Sequence, residues 1–227
     1  MKNINLYITE KLKLNKDSGI IYNYHPKNPD ELWDIIDKLL KERGNDANLN
    51  DIDVSKITDM SNMFNKQYPG NIDISEWDVS NVTNMSKMFY GCTDFNCDLS
   101  EWDVSNVENM ESMFCDCANF NSDLSKWDIS KVKNAEEMFY NCSEFESDLS
   151  KWNPESLEEA SRMFMECAKF NSDLSKWDVS SIKYAFYMFC NCKKLNCDFS
   201  KWDMKNAYKI DGIFIGCDSL KKSQKMI

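Results

Sequence analysis

Ten cysteines are the residues of this chain best suited to chemistry, because thiolates bind metal ions and attack electrophiles. Zinc sites use C-x2-C pairs with further ligands nearby, whereas Cys115 and Cys117 form a C-x-C pair with no histidine near it. The spacing Cys190 to Cys192 is the same. Stacked thiols that point in one direction also disfavour disulfide geometry. We therefore predict ten free, buried thiols that act as small apolar residues, which suits a reducing cytoplasm.

Two series of aspartates recur every 25 residues, and carboxylates are ligands that calcium prefers. One series is Asp98, Asp123, Asp148, Asp173 and Asp198, and the other is Asp78, Asp103, Asp128, Asn153, Asp178 and Asp203. Carboxylates stacked about 5 Å apart repel one another unless hydrogen bonds or cations compensate them. Aspartates also form turns and cap helices. We favour a cap or turn role for both series and predict no metal site.

The sequence offers no group of residues for nucleophilic or acid–base catalysis. The single histidine, His25, lies beside Pro26 outside the repeats. No Ser-His-Asp or Cys-His arrangement can be assembled around residues that recur in every repeat. The six glycines form no phosphate-binding loop. We predict that the protein is not an enzyme and uses no cofactor.

Charge and hydropathy exclude two classes of partner. The formal net charge of −11, without a basic cluster, argues against nucleic acid and against an anionic membrane surface. No run of about 18 apolar residues is present that would span a bilayer. The first residues, MKNINLYITEKLKLNKDSG, contain no apolar core of signal-peptide length. We therefore expect a cytoplasmic location.

The positions of these residues follow from a strict 25-residue period. Tryptophans occupy one column, phenylalanines a second and cysteines a third: Trp77, Trp102, Trp127, Trp152, Trp177 and Trp202; Phe64, Phe89, Phe114, Phe139, Phe164, Phe189 and Phe214; Cys92, Cys117, Cys142, Cys167, Cys192 and Cys217. Units of fixed length are typical of solenoids, in which each residue stacks on the equivalent residue of the preceding unit. The sequence predicts about seven units over residues 49–220.

Each unit is expected to contain a short strand, a short helix and a loop. Leu99, Trp102 and Val104 suit an extended segment. Val107, Met110, Met113, Phe114 and Cys117 then recur at steps of three or four, the spacing of one buried helical face. Pro154 takes the position of Val104 in its own unit, and proline suits the first turn of a helix. The predicted fold is therefore an α/β solenoid of the leucine-rich-repeat-like class.

Residues 1–48 do not follow the repeat and are predicted to cap the first unit. INLYIT, residues 4–9, suits a short strand, and NPDELWDIIDKLLKERG suits an amphipathic helix over 29–43. Asn28 is the expected N-cap, Pro29 the first residue, and Gly44 the C-terminal stop. Leu32, Trp33, Ile36, Leu39 and Leu40 form the expected apolar face. Residues 221–227 form a polar tail.

The repeated unit resembles a known repeat. The residues that carry the resemblance are Asp98-Leu99-Ser100, Trp102-Asp103-Val104-Ser105, Val107, Asn109-Met110, Met113-Phe114 and Cys117. Over residues 49–220 the chain is similar to the BspA-like surface-protein family, and more closely to the 25-residue repeat of mycoplasmal surface lipoproteins. The resemblance implies adhesion or protein recognition and no catalytic residues. The segment HPKNPDELWDIIDKLLKERG also resembles unexported, phage-encoded versions.

Departures from the repeat mark the candidate binding residues. Tyr184, Phe186 and Tyr187 replace polar residues of the other units, and exposed aromatic clusters mark binding surfaces. The alternative is that Tyr208 and the C-terminal end cover them. One further column changes from Glu76 and Glu101 to four lysines, which are Lys126, Lys151, Lys176 and Lys201. This lysine column is either a charge-balanced solvated face or a strip for an acidic partner.

The function that we expect from the sequence is non-catalytic binding of another protein, whose identity the sequence does not give. The first version is an intracellular, phage-encoded effector that inhibits a host protein. The alternatives are a cell-surface adhesin module and a structural component of a larger assembly such as a virion. A monomer and a homodimer are both compatible with the sequence.

Overall fold

A computed structural model of the protein describes residues 13–14, 21–65 and 70–221. The segment before the repeats contains two short antiparallel strands, β1 (Lys13–Leu14) and β2 (Ile21–Tyr22), in which Leu14 lies opposite Ile21. One helix, α1 (Pro29–Arg43), follows. The strand predicted at 4–9 lies outside the described residues, as does the predicted tail beyond residue 221.

Helix α1 begins and ends where the sequence predicts. The Asn28 side chain accepts the Glu31 N–H at 2.9 Å, Pro29 is the first helical residue, and Gly44 ends the helix with a φ of 86°. Four of the five residues of the predicted apolar face lie buried in the main core: Leu32, Ile36, Leu39 and Leu40. Trp33 does not, since 39% of its surface is exposed.

The repeats contain neither of the elements that the sequence predicts. From residue 44 to residue 221, within the described ranges, the structure assigns turns and isolated bridges but no helix and no strand. Single-residue parallel bridges connect positions 25 apart: Asp59–Asn84, Asn84–Asn109, Asn109–Asn134, Asn134–Glu159, Glu159–Tyr184 and Tyr184–Lys209. The prediction of an α/β solenoid of leucine-rich-repeat-like units is therefore wrong. We divide the repeats into seven stacked 25-residue units, beginning at residue 45.

The predicted helices do not form because backbone N–H groups bond to the next unit instead of within the segment. The N–H of Lys87 donates to the C=O of Glu111 at 2.7 Å, and that of Phe89 to Met113 at 2.9 Å. An α-helix would direct both bonds four residues back. Every unit that is fully described also carries residues with left-handed φ, which interrupt a helix. One such column is Asn62, Lys87, Ser112, Glu137, Arg162, Tyr187 and Gly212, and the other is Gly91, Asp116, Asn141, Glu166, Asn191 and Gly216.

These bonds join into continuous chains of peptide groups along the stack. In one of them the N–H of Met60 donates to the C=O of Asn84. The N–H of Met85, which belongs to the same peptide group as that C=O, donates in turn to the C=O of Asn109. The series continues in this way to the bond from Ala185 to Lys209. Each of these bonds is 2.8 or 2.9 Å long. Parallel series begin at Asn62, Phe64 and Gly91. We call these four series axial chains. In all of them the C=O faces the amino end of the stack and the N–H faces the carboxyl end.

Side chains also connect each unit to the one before it. Phenylalanine rings stack through the core, with centroids 5.5 Å apart for Phe89 and Phe114. The Trp127 indole N–H donates to the C=O of Leu99 at 3.0 Å. The Cys142 thiol donates to the C=O of Phe114 at 2.9 Å. Both bonds reach back 28 residues and recur in the neighbouring units. Main-chain, aromatic and thiol contacts that recur from unit to unit therefore hold the stack together.

A cysteine of this column contributes a hydrogen bond as well as apolar volume, and substitution separates the two. Cys142→Ala leaves the Phe114 carbonyl without its donor and opens a small cavity, so we expect a loss of about 1–2 kcal/mol. Cys142→Ser keeps a donor and should lose about half as much or less. Urea unfolding of both variants measures the difference. If Cys142→Ser is the less stable of the two, the thiol serves only as apolar filling.

Candidate functional site

The lysine column is exposed but its charges are compensated. Lys126 forms an ion pair with Glu101 of the preceding unit. Hydrogen bonds from the following serine lower the pKa of Asp148, Asp173 and Asp198, and the lysine three residues after each aspartate lowers it further: Lys151, Lys176 and Lys201. Since each positive charge has an acidic neighbour, the structure places these four lysines on a face of mixed charge.

A shallow depression of about 350 Å³ lies beside the lysine column. Its walls are polar and include Asn121, Asp123, Glu146, Asp148 and Lys151. Small-molecule sites are mostly apolar clefts with a few polar groups. This depression has no apolar side chain in its wall, so it offers little for a small ligand to bury.

The aspartate columns form turns. The Asp123 carboxylate accepts the Ser125 N–H at 2.9 Å, and Asp128 accepts the Ser130 N–H at 3.0 Å. Bonds of this kind, two residues forward, recur in both columns and define Asx turns. They lower the pKa of Asp98 and Asp123, and this effect outweighs the repulsion between the two carboxylates. The turn interpretation is therefore confirmed and the helix-cap alternative is wrong.

No group of three or more His, Cys, Asp or Glu side chains in residues 21–65 and 70–221 is arranged to hold a metal ion. His25 bonds to Asp53 at 3.1 Å and is half-exposed beside α1. The structure does not bring it near a cysteine of the repeats.

All ten cysteines are free and buried, as predicted. Burial raises the pKa of Cys97 to about 11 and that of Cys142 well above its ordinary value. Such thiols are poor nucleophiles because the reactive thiolate is scarce. The sequence did not reveal their hydrogen bonds. The Cys97 sulfur, for instance, accepts the Ile74 N–H at 3.5 Å, and Ser122 accepts the Leu99 N–H at the matching place one unit later.

The structure brings the predicted aromatic residues to the last two units, 170–219. Tyr184 and Tyr187 are 37% and 38% exposed. Phe186 is half-buried beneath the guanidinium of Arg162, 4.5 Å from its ring centroid, and meets the Tyr187 ring edge to face. The Tyr184 ring lies 6.0 Å from that of Tyr208. Tyr208 therefore contacts the cluster without covering it.

Three residues that the sequence did not single out as binding residues extend this surface. Tyr208, Ile210 and Ile215 are 76%, 44% and 55% exposed. Ile210 occupies the column of Met85 and Met110, which are buried in their own units. The exposure of Ile210 follows from its position in the last unit, so its residue type does not indicate it. We call Tyr184, Phe186, Tyr187, Tyr208, Ile210 and Ile215 the C-terminal patch.

Comparison with known families identifies the repeat. The model of the family described as "Mycoplasma protein of unknown function, DUF285" matches residues 36–149 and 120–226. The chain belongs to this family. No curated protein and no solved structure matches the chain. No helix in the described part of the chain is long and apolar enough to cross a membrane.

The aspartate turns predict sensitivity to acid. A carboxyl group whose folded pKa lies below its unfolded value of about 3.9 stabilises the protein above that pH, and this contribution is lost as the pH falls. The free energy of unfolding, measured in urea, should therefore decrease from pH 6 to pH 3. In Asp148→Asn the amide oxygen still accepts the Ser150 N–H and does not titrate, so the decrease should be shallower. An unchanged slope would contradict this account of the column.

Burial of the thiols predicts slow labelling of the native protein. A thiol reagent at pH 8 should modify few of the ten cysteines until the chain is denatured, because burial raises the pKa of thiols such as Cys142 and Cys167. Denaturation without reductant should then release all ten. A count of two or fewer after denaturation would show disulfides, and rapid labelling of the native chain would show that the column is accessible.

Proposed function

We propose that this protein is a non-catalytic protein-binding module whose partner docks on the C-terminal patch. One observation carries the proposal. Seven large apolar or aromatic side chains of the described residues are exposed, and five of them lie in the last two units: Tyr184, Tyr187, Tyr208, Ile210 and Ile215. Contiguous exposed apolar residues mark interaction surfaces, and tyrosine is enriched among the residues that dominate binding energy.

The composition of the patch suits a protein partner. Tyrosine rings present apolar area together with a hydroxyl, and they lose little conformational entropy on binding. Arg162, which covers Phe186, is held by Glu137 at 2.7 Å and lies 3.5 Å from Glu136, so it supplies a fixed, ion-paired rim. The acidic net charge gives no support to a nucleic-acid ligand.

A cytoplasmic location belongs to the same proposal and is supported by the ten free, buried thiols, which suit a reducing compartment. The finer resemblances, to BspA-like surface proteins and to phage-encoded inhibitors of host proteins, are also part of this proposal. An adhesin module or a virion component would use the same patch and would differ in where its partner resides.

The proposal is tested with Tyr184→Ser combined with Tyr208→Ser, which changes two exposed residues. The matched control is Lys126→Ala with Lys176→Ala, two exposed positions on the lysine column. Partners recovered by affinity capture are purified, and their dissociation constants are measured for the wild type and both variants. We expect at least a tenfold weakening for the tyrosine variant and less than threefold for the control. Equal affinities for all three proteins would refute the role of the patch.

A further inference from the structure

Three of the four axial chains end in the last unit with N–H groups that have no acceptor among the described residues. In every earlier unit the corresponding N–H groups bond to the following unit, as Ala185 does to Lys209, Tyr187 to Asp211 and Asn191 to Ile215. The N–H groups of Ile210 and Gly212 have no acceptor among the described residues, and neither does that of Gly216. We call residues 210–216 the donor edge.

The donor edge is the positive pole of the stack. Because the peptide groups of each axial chain align head to tail, their dipoles add in the same way as those of a helix. The N–H ends collect at the carboxyl end of the described stack. Gly212 and Gly216 have left-handed φ values of 69° and 70°, and alternation of such residues with right-handed ones forms concave nests for anionic groups.

Glycine at these two positions also shapes the edge. A Cβ atom at Gly212 would lie 2.5 Å from the Tyr187 ring, and one at Gly216 would lie 2.0 Å from the Asn191 side-chain oxygen. In the earlier units the same columns hold larger residues, with the exception of Gly91. The side chains of the preceding unit therefore lie across the last unit, and the Tyr187 ring borders the edge.

The surface is less acidic in the last two units than in the earlier part of the stack. Residues 70–119 contain ten carboxylates and one lysine, whereas residues 170–219 contain six carboxylates and seven lysines. Lys209 is exposed beside the edge, as is Asp211 within it, and Lys205 is paired with Asp203 at 2.8 Å. The part of the stack that presents the free N–H groups is thus also its least acidic part.

We propose that the donor edge binds an extended acidic segment of a partner protein. Carboxylate and backbone C=O oxygens of the segment would accept the N–H groups of Ile210, Gly212 and Gly216, as in recognition by strand addition. Apolar side chains of the segment would rest on Tyr208 and Ile215. This inference rests on the proposed function and specifies the chemistry of the partner.

A second copy of the chain fits the edge less well. Two donor edges that face each other present N–H groups to N–H groups and supply no acceptor. A head-to-tail arrangement would bring the edge to the first unit, where α1 already lies and Arg43 donates to the Asn48 C=O and to the Asp51 carboxylate. A single small anion would reach only part of an edge that is seven residues long.

The test uses the full chain labelled for NMR and a synthetic nine-residue peptide that alternates glutamate and valine. We expect the largest amide shifts at Ile210, Gly212 and Gly216. A matched peptide with lysine in place of glutamate should bind at least tenfold more weakly. The variant Lys209→Glu with Ile215→Glu places two carboxylates beside the edge. It should bind the glutamate peptide at least tenfold more weakly than the wild type does. Lys126→Glu, at an exposed lysine far from the edge, should change its affinity less than threefold.

Several results would overturn the inference. Equal binding of the two peptides, or shifts confined to other amides, would show that the edge does not select acidic segments. Shifts of equal size with inorganic phosphate alone would make it a simple anion site. Concentration-dependent self-association that protects these amides would assign it to a second copy. Slow hydrogen exchange of the three amides in the free protein would show that the chain itself occupies the edge. Any of these results leaves the proposed function intact if the Tyr184 and Tyr208 variant still loses its partner.

Discussion

The alignment of peptide groups along the stack is the constraint on which the rest of the structure depends. The N–H groups of Met85, Lys87, Phe89 and Gly91 all point toward the following unit, so the segment satisfies its backbone only when a neighbour of the same geometry lies beyond it. Left-handed residues at two positions of the unit accompany this arrangement. A unit of this kind has too few internal bonds to stand alone, and its stability derives from its neighbours, as in other repeat proteins.

The sequence predicted which residues stack but not the conformation that stacks them. The columns that contain Leu99, Trp102 and Phe114 are buried as expected, because the period alone determines which residues contact one another. The apolar spacing of three and four predicts a helix, and this prediction is wrong. It arises from tight turns, in which the Met113 N–H bonds to the C=O of Met110.

One of the two left-handed columns gave a signal for this conformation that a closer reading of residue types would find. It contains Gly91, Asp116, Asn141, Glu166, Asn191 and Gly216, which is rich in the residues that tolerate positive φ. Between Asn62 and Gly212 the other column holds lysine, serine, glutamate, arginine and tyrosine, and there the neighbouring units impose a conformation that the residue type does not favour. No reading of single residues could have found that column.

The residues that suggest chemistry are used by the fold. The thiol of Cys142 fills a small apolar space and also donates to a carbonyl, and the carboxylate of Asp123 accepts a backbone N–H that the turn would otherwise leave unpaired. A cysteine or aspartate in a catalytic site would look the same in the sequence. What distinguishes the two cases is the repetition, because a residue needed once for function would not recur in nearly every unit.

The ends of the stack and its interior units differ in what they can offer to a partner. Interior units use their main-chain donors to hold the next unit, so main-chain recognition of a partner can arise only at an end of the described stack. Tyr184 and Tyr187 could be predicted because they break a column, whereas the exposure of Ile210 follows only from its position in the last unit. The polarity of the axial chains makes the two ends chemically different. The carbonyl groups of the axial chains face the first end, which α1 contacts through Arg43, and the N–H groups face the last end, beside exposed aromatic residues. A partner that offers oxygen atoms is therefore matched to one end alone.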